Sequence, residues 1–576
     1  MSSLTRAWNV QLTMTDTMSQ EGDVHPMIRS ILALRGIDDD REIQKFFAPN
    51  YENDLHDPFL FADMSCVVER IREAISVGEH IGVFGDYDAD GITSSVILRR
   101  TLERLGCPVS VYIPDKLTEG HGLHVNALDA FASKGIRLLF TVDCGMMNHT
   151  EIRVARSRGM DVVIVDHHHV PEELPEAFAI INPKLPNSQY PFRELCGAGT
   201  TFKLAQALYR SFLPEYESEL KWILDFAAIG TVADCVPLVG ENRVLVKYGL
   251  IVLSKTRHVG LREMFSVGKI VVDEDHIPDA HTIGFRIGPR INAASRMAHA
   301  LTAHELLMAT QPDHARLLAL DLESQNAERQ KVSGRVADEV RAMADTDFRN
   351  RSLVFAVSAH FPFGVAGLVA GKVARDIEKP VAVFHKGEIE STGSFRSVPG
   401  LSIIEAIESC ADLLEKFGGH EQAAGATIRN DNLEAFQEKL EHVVATQLAG
   451  TQRQPELLID CELSPFYITP KFFATLKKLA PFGMGNAEPI FLLRNVSVES
   501  VRCVGKDNQH LKASFRTDAG VFGAIGFGIG ETWSGLLLGD RVDIVFHLQE
   551  NRWNGSSRIE FDLLDICRAG EHILNY

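Results

Sequence analysis

His80-Ile81-Gly82-Val83-Phe84-Gly85-Asp86-Tyr87-Asp88-Ala89-Asp90-Gly91 decides the fold of this chain. The first half is a short apolar run, the mark of a buried strand. The second half sets three aspartates in alternation, and Gly91 lets the backbone turn tightly into a helix expected over 93–105. Further strands are expected at 108–113, 138–142 and 161–165, with helices at 125–134, 151–158, 197–208, 220–228 and 241–253. Short apolar runs alternating with helical periods predict an α/β domain, a parallel sheet with helices on both faces. Ligands of such sheets bind beyond the carboxyl ends of the strands. Three of these ends deliver acids: Asp86, Asp88 and Asp90, then Asp143, then Asp166-His167-His168.

A single Asp after a strand is usually a helix cap or a turn residue. Three in alternation repel one another in a tight turn unless cations sit among them. Asp86, Asp88, Asp143 and Asp234, the last in Gly230-Thr231-Val232-Ala233-Asp234, join the imidazole of His167 as a candidate two-metal site. Oxygen-rich ligands with one imidazole suit Mn²⁺, with Mg²⁺ second. Two such ions activate a water and stabilise both oxygens of an in-line displacement at phosphorus, which points to a metal-dependent phosphoesterase. A His-His pair is often only a surface loop, and His169 reads as incidental.

The rest of the 576 residues divides by character. Residues 1–60 read as an irregular or helical lead-in, with Trp8 and a helix-like stretch at 27–34. Residues 61–260 hold the α/β pattern. The connector, 261–348, contains a charged, helix-favouring stretch at 302–345 that carries Leu306, Leu307, Leu317, Leu320 and Leu322. With Pro312 its only proline, it predicts one long helix or a helix pair joining two domains. A second α/β pattern, with strands at 353–357 and 380–384, occupies 349–448. Short strands at 493–504, 510–515, 522–527 and 541–548 in 449–576 predict a small β-barrel.

The net charge of −19 excludes loose, patch-free coating of nucleic acid, though not a local basic groove. No run of about 18 apolar residues predicts a membrane span. Residues 1–16 lack an apolar signal core, so nothing points to export. Nine scattered cysteines with no Cys-x-x-Cys pair read as reduced thiols of a cytoplasmic protein. Gly288-Pro289-Arg290-Ile291-Asn292-Ala293-Ala294-Ser295-Arg296 sets two arginines among small residues. Gly393-Ser394-Phe395-Arg396-Ser397 and Phe417-Gly418-Gly419-His420-Glu421-Gln422-Ala423-Ala424-Gly425 read as glycine-rich loops. Small residues let backbone amides approach a phosphate and Arg grips it bidentately, so Ser394 and Arg396 suggest a phosphate pocket.

These motifs, in this order, resemble the DHH phosphoesterase superfamily, and within it the RecJ family of single-strand-specific DNA exonucleases. Leu195-Cys196-Gly197-Ala198-Gly199, Gly364-Val365-Ala366-Gly367-Leu368-Val369-Ala370 and Pro481-Phe482-Gly483-Met484-Gly485-Asn486 narrow the match, which spans nearly the whole chain. The resemblance implies a DHH domain and a DHHA1 domain joined by a long helix around a narrow groove, followed by an OB-fold. It implies that Asp86, Asp88, Asp143, His167 and Asp234 bind two Mn²⁺ ions, with Mg²⁺ as the alternative. Asp90, Asp166 and His168 complete the site, His168 facing the scissile phosphate. Arg290, Ser394 and Arg396 match the family's grip on the 5′ end, and Lys116, Asn292, Arg296, Gly418, Gly419 and His420 add nucleic-acid contacts. The implied reaction is processive 5′→3′ hydrolysis of single-stranded DNA to nucleoside 5′-monophosphates in repair and recombination. A single-strand-binding protein and a helicase are the implied further partners. Lys506, His510 and Lys512 are candidates for the cationic face of the OB-fold.

Some positions depart from the family pattern. Lys116 stands where Arg is usual, keeping the charge without the planar fork. His121 replaces Tyr, Ser295 replaces Gly, and Phe361-Pro362 replaces Trp-His. Two other readings compete. A nanoRNase or 3′-phosphoadenosine-5′-phosphate phosphatase shares the superfamily but lacks the β-rich tail of residues 451–576. A catalytically dead scaffold would have lost ligands that are all present here.

Overall fold

Ile81–Gly85 and Leu138–Val142 are buried along their whole length, as central parallel strands covered on both faces must be. They lie in a five-stranded sheet ordered Val109–Tyr112, Ile81–Gly85, Leu138–Val142, Asp161–Val165, Ala179–Ile181, every pair parallel. This computed structural model describes residues 7–12, 24–116, 118–186, 188–274, 276–449, 456–553, 556–571 and 574–575. The sheet belongs to a unit made of residues 55–236 and 241–452; residues 1–54, 237–240 and 453–576 form a second unit.

The helix Ala89–Arg104 leaves the carboxyl end of Ile81–Gly85 and is buried continuously from 89 to 98, because the helices Gly197–Phe212 and Leu224–Ala233 pack over it. The helix expected at 220–228 is displaced: Pro214 opens a 3-10 stretch, Pro214–Ile223, and the α-helix follows it. The connector is a helix pair, Leu301–Met308 and Pro312–Thr346, with Pro312 at the start of the second, where its missing N–H costs nothing. Leu306, Leu307 and Leu322 are buried, whereas Leu317 and Leu320 face solvent.

His304 in the first of these helices is buried with neither ring nitrogen bonded. Burial, followed by Arg99 and Arg100, pushes its pKa down to about 3. The unfolded chain therefore takes a proton near pH 6.5 that the folded chain refuses, so stability is complete above pH 6.5 and is lost as pH falls toward 3. Between pH 8 and pH 5, His304→Leu is expected to lose about 2 kcal/mol less stability than the parent by urea titration. Equal losses in the two proteins would remove His304 from the acid response.

A second five-stranded sheet in the same unit runs Lys416–His420, Ala423–Arg429, Glu390–Arg396, Val381–Lys386, Val354–Ser358. Its last pair is parallel and the others antiparallel. The runs at 393–397 and 417–425, read from sequence as glycine-rich loops, are largely strands. At Gly393 glycine serves because a neighbour approaches closely: a Cβ there would enter the Phe384 ring. Phe355, Phe384, Phe395 and Phe436 pack edge-on and tilted beneath this sheet.

In the other unit, Phe491–Val504, His510–Thr517, Gly520–Gly526, Ser556–Arg568 and Arg541–Trp553 close into a barrel through pairing of the first with the last. Phe491, Phe515, Phe546 and Phe561 fill it. The lead-in is not simply irregular or helical. Besides the helices Pro26–Leu34 and Asp40–Phe47 it supplies a strand, Ala7–Val10, parallel to Glu456–Ile459 and Leu574–Asn575. Trp8 is buried there, its indole N–H donating to Asp565 Oδ2 at 3.0 Å. On the barrel, Lys512 pairs with Glu560 and His510 packs against Phe527. Lys506 lies in the 3-10 turn Lys506–Asn508.

Candidate active site

Register places the acids. Gly85 pairs with Val142, and Val142 with Val165, so the next residues, Asp86, Asp143 and Asp166, emerge side by side at one level of the sheet. Ladder bonds continue through them: Asp143 N–H donates to Val165 O at 2.9 Å and Asp166 N–H to Ile181 O at 3.0 Å. Asp88 caps the helix Ala89–Arg104, accepting from the backbone N–H of Asp90 and Gly91. Asp90 accepts from Gly197 N at 2.6 Å and Ala198 N at 2.8 Å, the exposed amides of a helix start. Asp234 ends the helix Leu224–Ala233. Asp143 has φ 62°, in the left-handed region, a conformation held against backbone strain by its surroundings. Gly197 lies so close to its carboxylate that a Cβ there would stand 2.6 Å from Oδ1.

Ligand-type atoms within 4.8 Å of one another form three overlapping groups: Asp86, Asp88 and Asp143; Asp143, His167 and His168; Asp90, His167 and Asp234. Asp143 and His167 are each shared, so the groups form one continuous cluster. His167 Nε2 lies 3.2 Å from Asp143 Oδ1, 3.6 Å from Asp234 and 3.9 Å from Asp90. Yet Asp143 Oδ1 and His167 Nε2 are buried without a hydrogen bond. Buried polar atoms are nearly always satisfied, so Asp143 Oδ1 and His167 Nε2, facing each other at 3.2 Å, fit a shared divalent cation.

The charges agree. Burial and then the neighbouring carboxylates push Asp88 up, Asp90 to about 6, Asp234 to about 9 and Asp143 well above the usual range. Positive charge in their midst removes that repulsion. Burial, then His168, holds His167 down at about 3, in the neutral form that ligates metals. Asp166 behaves differently. Burial opposes its charge, but donors from His168 hold it far below the usual range. It accepts from the backbone of His167, His168 and Met146 and from His168 Nδ1 at 2.7 Å. Asp166 thus orients His168, whose ring is half exposed.

A basic group flanks the cluster. Lys116 Nζ lies 5.0 Å from the centre of the Tyr87 ring. Burial, then Arg296, with a smaller push from Arg396, lowers its pKa to about 8, so the three cations share one neighbourhood. Arg296 donates to Gly364 O at 3.1 Å, and the helix Phe363–Ile377 passes over Ser394 and Arg396 at Gly367. Asn292 Oδ1 accepts from Ala89 N at 2.7 Å, tying the helix Gly288–Met297 to the start of the site helix. Arg290 acts electrostatically on Arg329, and its guanidinium is engaged by Glu323 at 2.6 Å and by the carbonyls of Arg286 and Gly268. Gly418, Gly419 and His420 are exposed on the outermost strand, separated from Arg396 by Ala423–Arg429.

Two residues escaped the sequence reading of the site. Arg329 of the long helix has a buried Nε without a partner, and it is the largest electrostatic influence on Arg296. Its only mark in the sequence is its place in a charged helix, where solvated arginines are common. His121, a departure from the family pattern, sets its Nδ1 3.0 Å from Asp86 Oδ1.

Family models match in chain order: the N-terminal domain of the DHH family over residues 80–231, the DHHA1 domain over 350–446 and the RecJ OB domain over 459–565. The single-stranded-DNA-specific exonuclease RecJ of Bacillus subtilis is 35% identical over 97% of this chain and 70% of its own length. The chain belongs to the RecJ family. The RecJ of Thermus thermophilus is also 35% identical, over 86% of this chain and 70% of its own. Its crystal structure in complex with Mn²⁺ superposes with a TM-score of 0.82, at 29% identity, covering 99% of this chain and 81% of that one. The Mg²⁺ complex gives 0.76. The parallel-sheet domain is thus the DHH domain of a RecJ-family chain, the mixed sheet beyond the long helix its DHHA1 domain, and the barrel its OB-fold.

Proposed function

We propose that this chain is a metal-dependent exonuclease that hydrolyses single-stranded DNA from the 5′ end and releases nucleoside 5′-monophosphates. The observation that carries the reading is the acid cluster joined through Asp143 and His167, with its orphaned ligand atoms. Asp86, Asp88, Asp143, His167 and Asp234 hold the cations, Mn²⁺ with Mg²⁺ as the alternative. The bound ions supply an activated water and neutralise charge building on the phosphoryl oxygens. Asp90, anchored on the helix amides of Gly197 and Ala198, braces the cluster. His168, oriented by Asp166, faces the scissile phosphate. Water adds to phosphorus, the bond to the 3′-oxygen breaks, and the next nucleotide keeps a 5′-phosphate. Lys116, Arg296, Ser394 and Arg396 meet that new end, so each cycle regenerates the group they recognise.

We extend the proposal to a role in the cytoplasm, in DNA repair and recombination. Among the described residues no helix is long and apolar enough to cross a membrane. Strand-specific hydrolysis needs unpaired ends, the product of a helicase and the ligand of a single-strand-binding protein, and we extend the proposal to those partners. Incubation with Mn²⁺ and either a long single strand or a dinucleotide separates this reading from a short-oligonucleotide phosphatase. Long strands should be degraded. Loss of the dinucleotide alone, with long strands intact, would overturn the proposal.

A further inference from the structure

Asp86 differs from its neighbours in how its carboxylate is held. Asp88 and Asp90 each accept two backbone N–H bonds, and Asp166 accepts from three backbone amides and one imidazole. Among the described residues, the one hydrogen bond to the Asp86 carboxylate comes from the side chain of His121, Nδ1 to Oδ1 at 3.0 Å. Asp86 is buried, so removing that donor leaves its carboxylate less firmly held.

The loop that carries His121 is built to hold it. It follows the edge strand Val109–Tyr112, which pairs with Ile81–Gly85, and so flanks Asp86 on the side opposite Asp143. Glu119 closes one end, accepting from the Tyr112 hydroxyl at 2.5 Å and Asp115 N at 2.8 Å. Asn148 closes the other, bonded to both N and O of Leu123. Between them Gly120 and Gly122 have φ 81° and 90°, a conformation that residues with a Cβ rarely adopt. His121 is therefore presented from a doubly anchored turn. Its ring meets that of His168 edge-on at 5.7 Å. Each of these imidazoles is anchored through Nδ1 on a buried carboxylate, His121 on Asp86 and His168 on Asp166.

We infer that His121 is a positioning residue that fixes Asp86 in its cation-binding orientation and thereby sets the affinity of the site for divalent metal. The inference rests on the metal-dependent reading of the site. Partners that orient a ligand from behind commonly change metal affinity by about 10–100-fold when removed. The side chain of Asn places an amide donor near the position of Nδ1; that of Ala places none.

The test measures Mn²⁺ binding to the full chain without DNA, by electron paramagnetic resonance of free Mn²⁺, for the parent, His121→Ala and His121→Asn. The Mn²⁺ dependence of single-strand hydrolysis is recorded in parallel. His121→Ala should weaken binding about tenfold and raise half-saturating Mn²⁺ to match, with the rate at saturating Mn²⁺ returning toward that of the parent. His121→Asn should stay within about threefold of the parent. Parent-like binding by His121→Ala, or equal losses in the Ala and Asn variants, would overturn the positioning role and leave the metal reading standing. Failure of the parent itself to bind Mn²⁺ would overturn both.

Discussion

Asp143→Asn should abolish hydrolysis to within about a thousandth of the parent rate while single-stranded DNA still binds. Asp143 is the carboxylate shared between the Asp86–Asp88 group and the His167–His168 group. On the proposed ligand set its loss would break both cation positions at once, and metal stabilisation of several kcal/mol corresponds to roughly three powers of ten in rate. The same change should act oppositely on the fold. In the metal-free protein, burial and the mutual repulsion of Asp90, Asp88, Asp86 and Asp234 weigh against the Asp143 charge. Asp143→Asn should therefore melt higher than the parent in chelator and gain less from Mn²⁺.

A pH effect follows from the same charges. Asp90 and Asp234 have folded values of about 6 and about 9 against 3.8, so the folded, metal-free chain keeps protons that the unfolded chain has released. Stability from these groups is present at low pH and is lost as pH rises through those values. Mn²⁺ should flatten the loss. A variant with undiminished hydrolysis and parent-like melting would remove Asp143 from the centre.

The second large effect concerns the 5′ end. Arg396→Ala should cut the preference for a 5′-phosphate over a 5′-hydroxyl by about 10–100-fold in kcat/KM, the range of a charge-assisted hydrogen-bonded contact worth ~1.5–3 kcal/mol. Arg396 is partly buried, lies with Ser394 under the helix Phe363–Ile377, and shares its neighbourhood with Lys116 and Arg296. Among the described residues no salt bridge neutralises Arg296, Arg329 or Arg396, whereas Arg290 is paired with Glu323. Arg290→Ala should accordingly act on stability more than on end preference. Cleavage of the 5′-phosphate and 5′-hydroxyl strands by Arg396→Ala in the parent's ratio would make that arginine structural.

Much of this was legible because the governing signals are local. An apolar run ending in Asp86-Tyr87-Asp88-Ala89-Asp90 states both the strand and the acids at its end, and the parallel register then aligns Asp143 and Asp166 without further information. What failed to show was non-local. The strand Ala7–Val10 is too short for periodicity to reveal, and its partners begin at Glu456 and Leu574. Glycines at 393, 418 and 425 look like loop residues until the antiparallel pairing of Gly425 with Ser394 and Gly418 is seen. Arg290 and Arg296 are indistinguishable as letters six positions apart. Only the placement of Glu323 beside one and Gly364 beside the other separates them. His121 likewise looked like a mere departure until the turn carried it to Asp86.

The most direct measurement uses one single-stranded oligonucleotide labelled at either its 5′ or its 3′ end, incubated with the full chain in Mn²⁺ or in chelator. The account predicts that the 5′ label appears as mononucleotide at the earliest times, that the 3′-labelled strand shortens progressively, and that chelator stops both. Early release of the 3′ label, internal cuts, or undiminished digestion in chelator would contradict it.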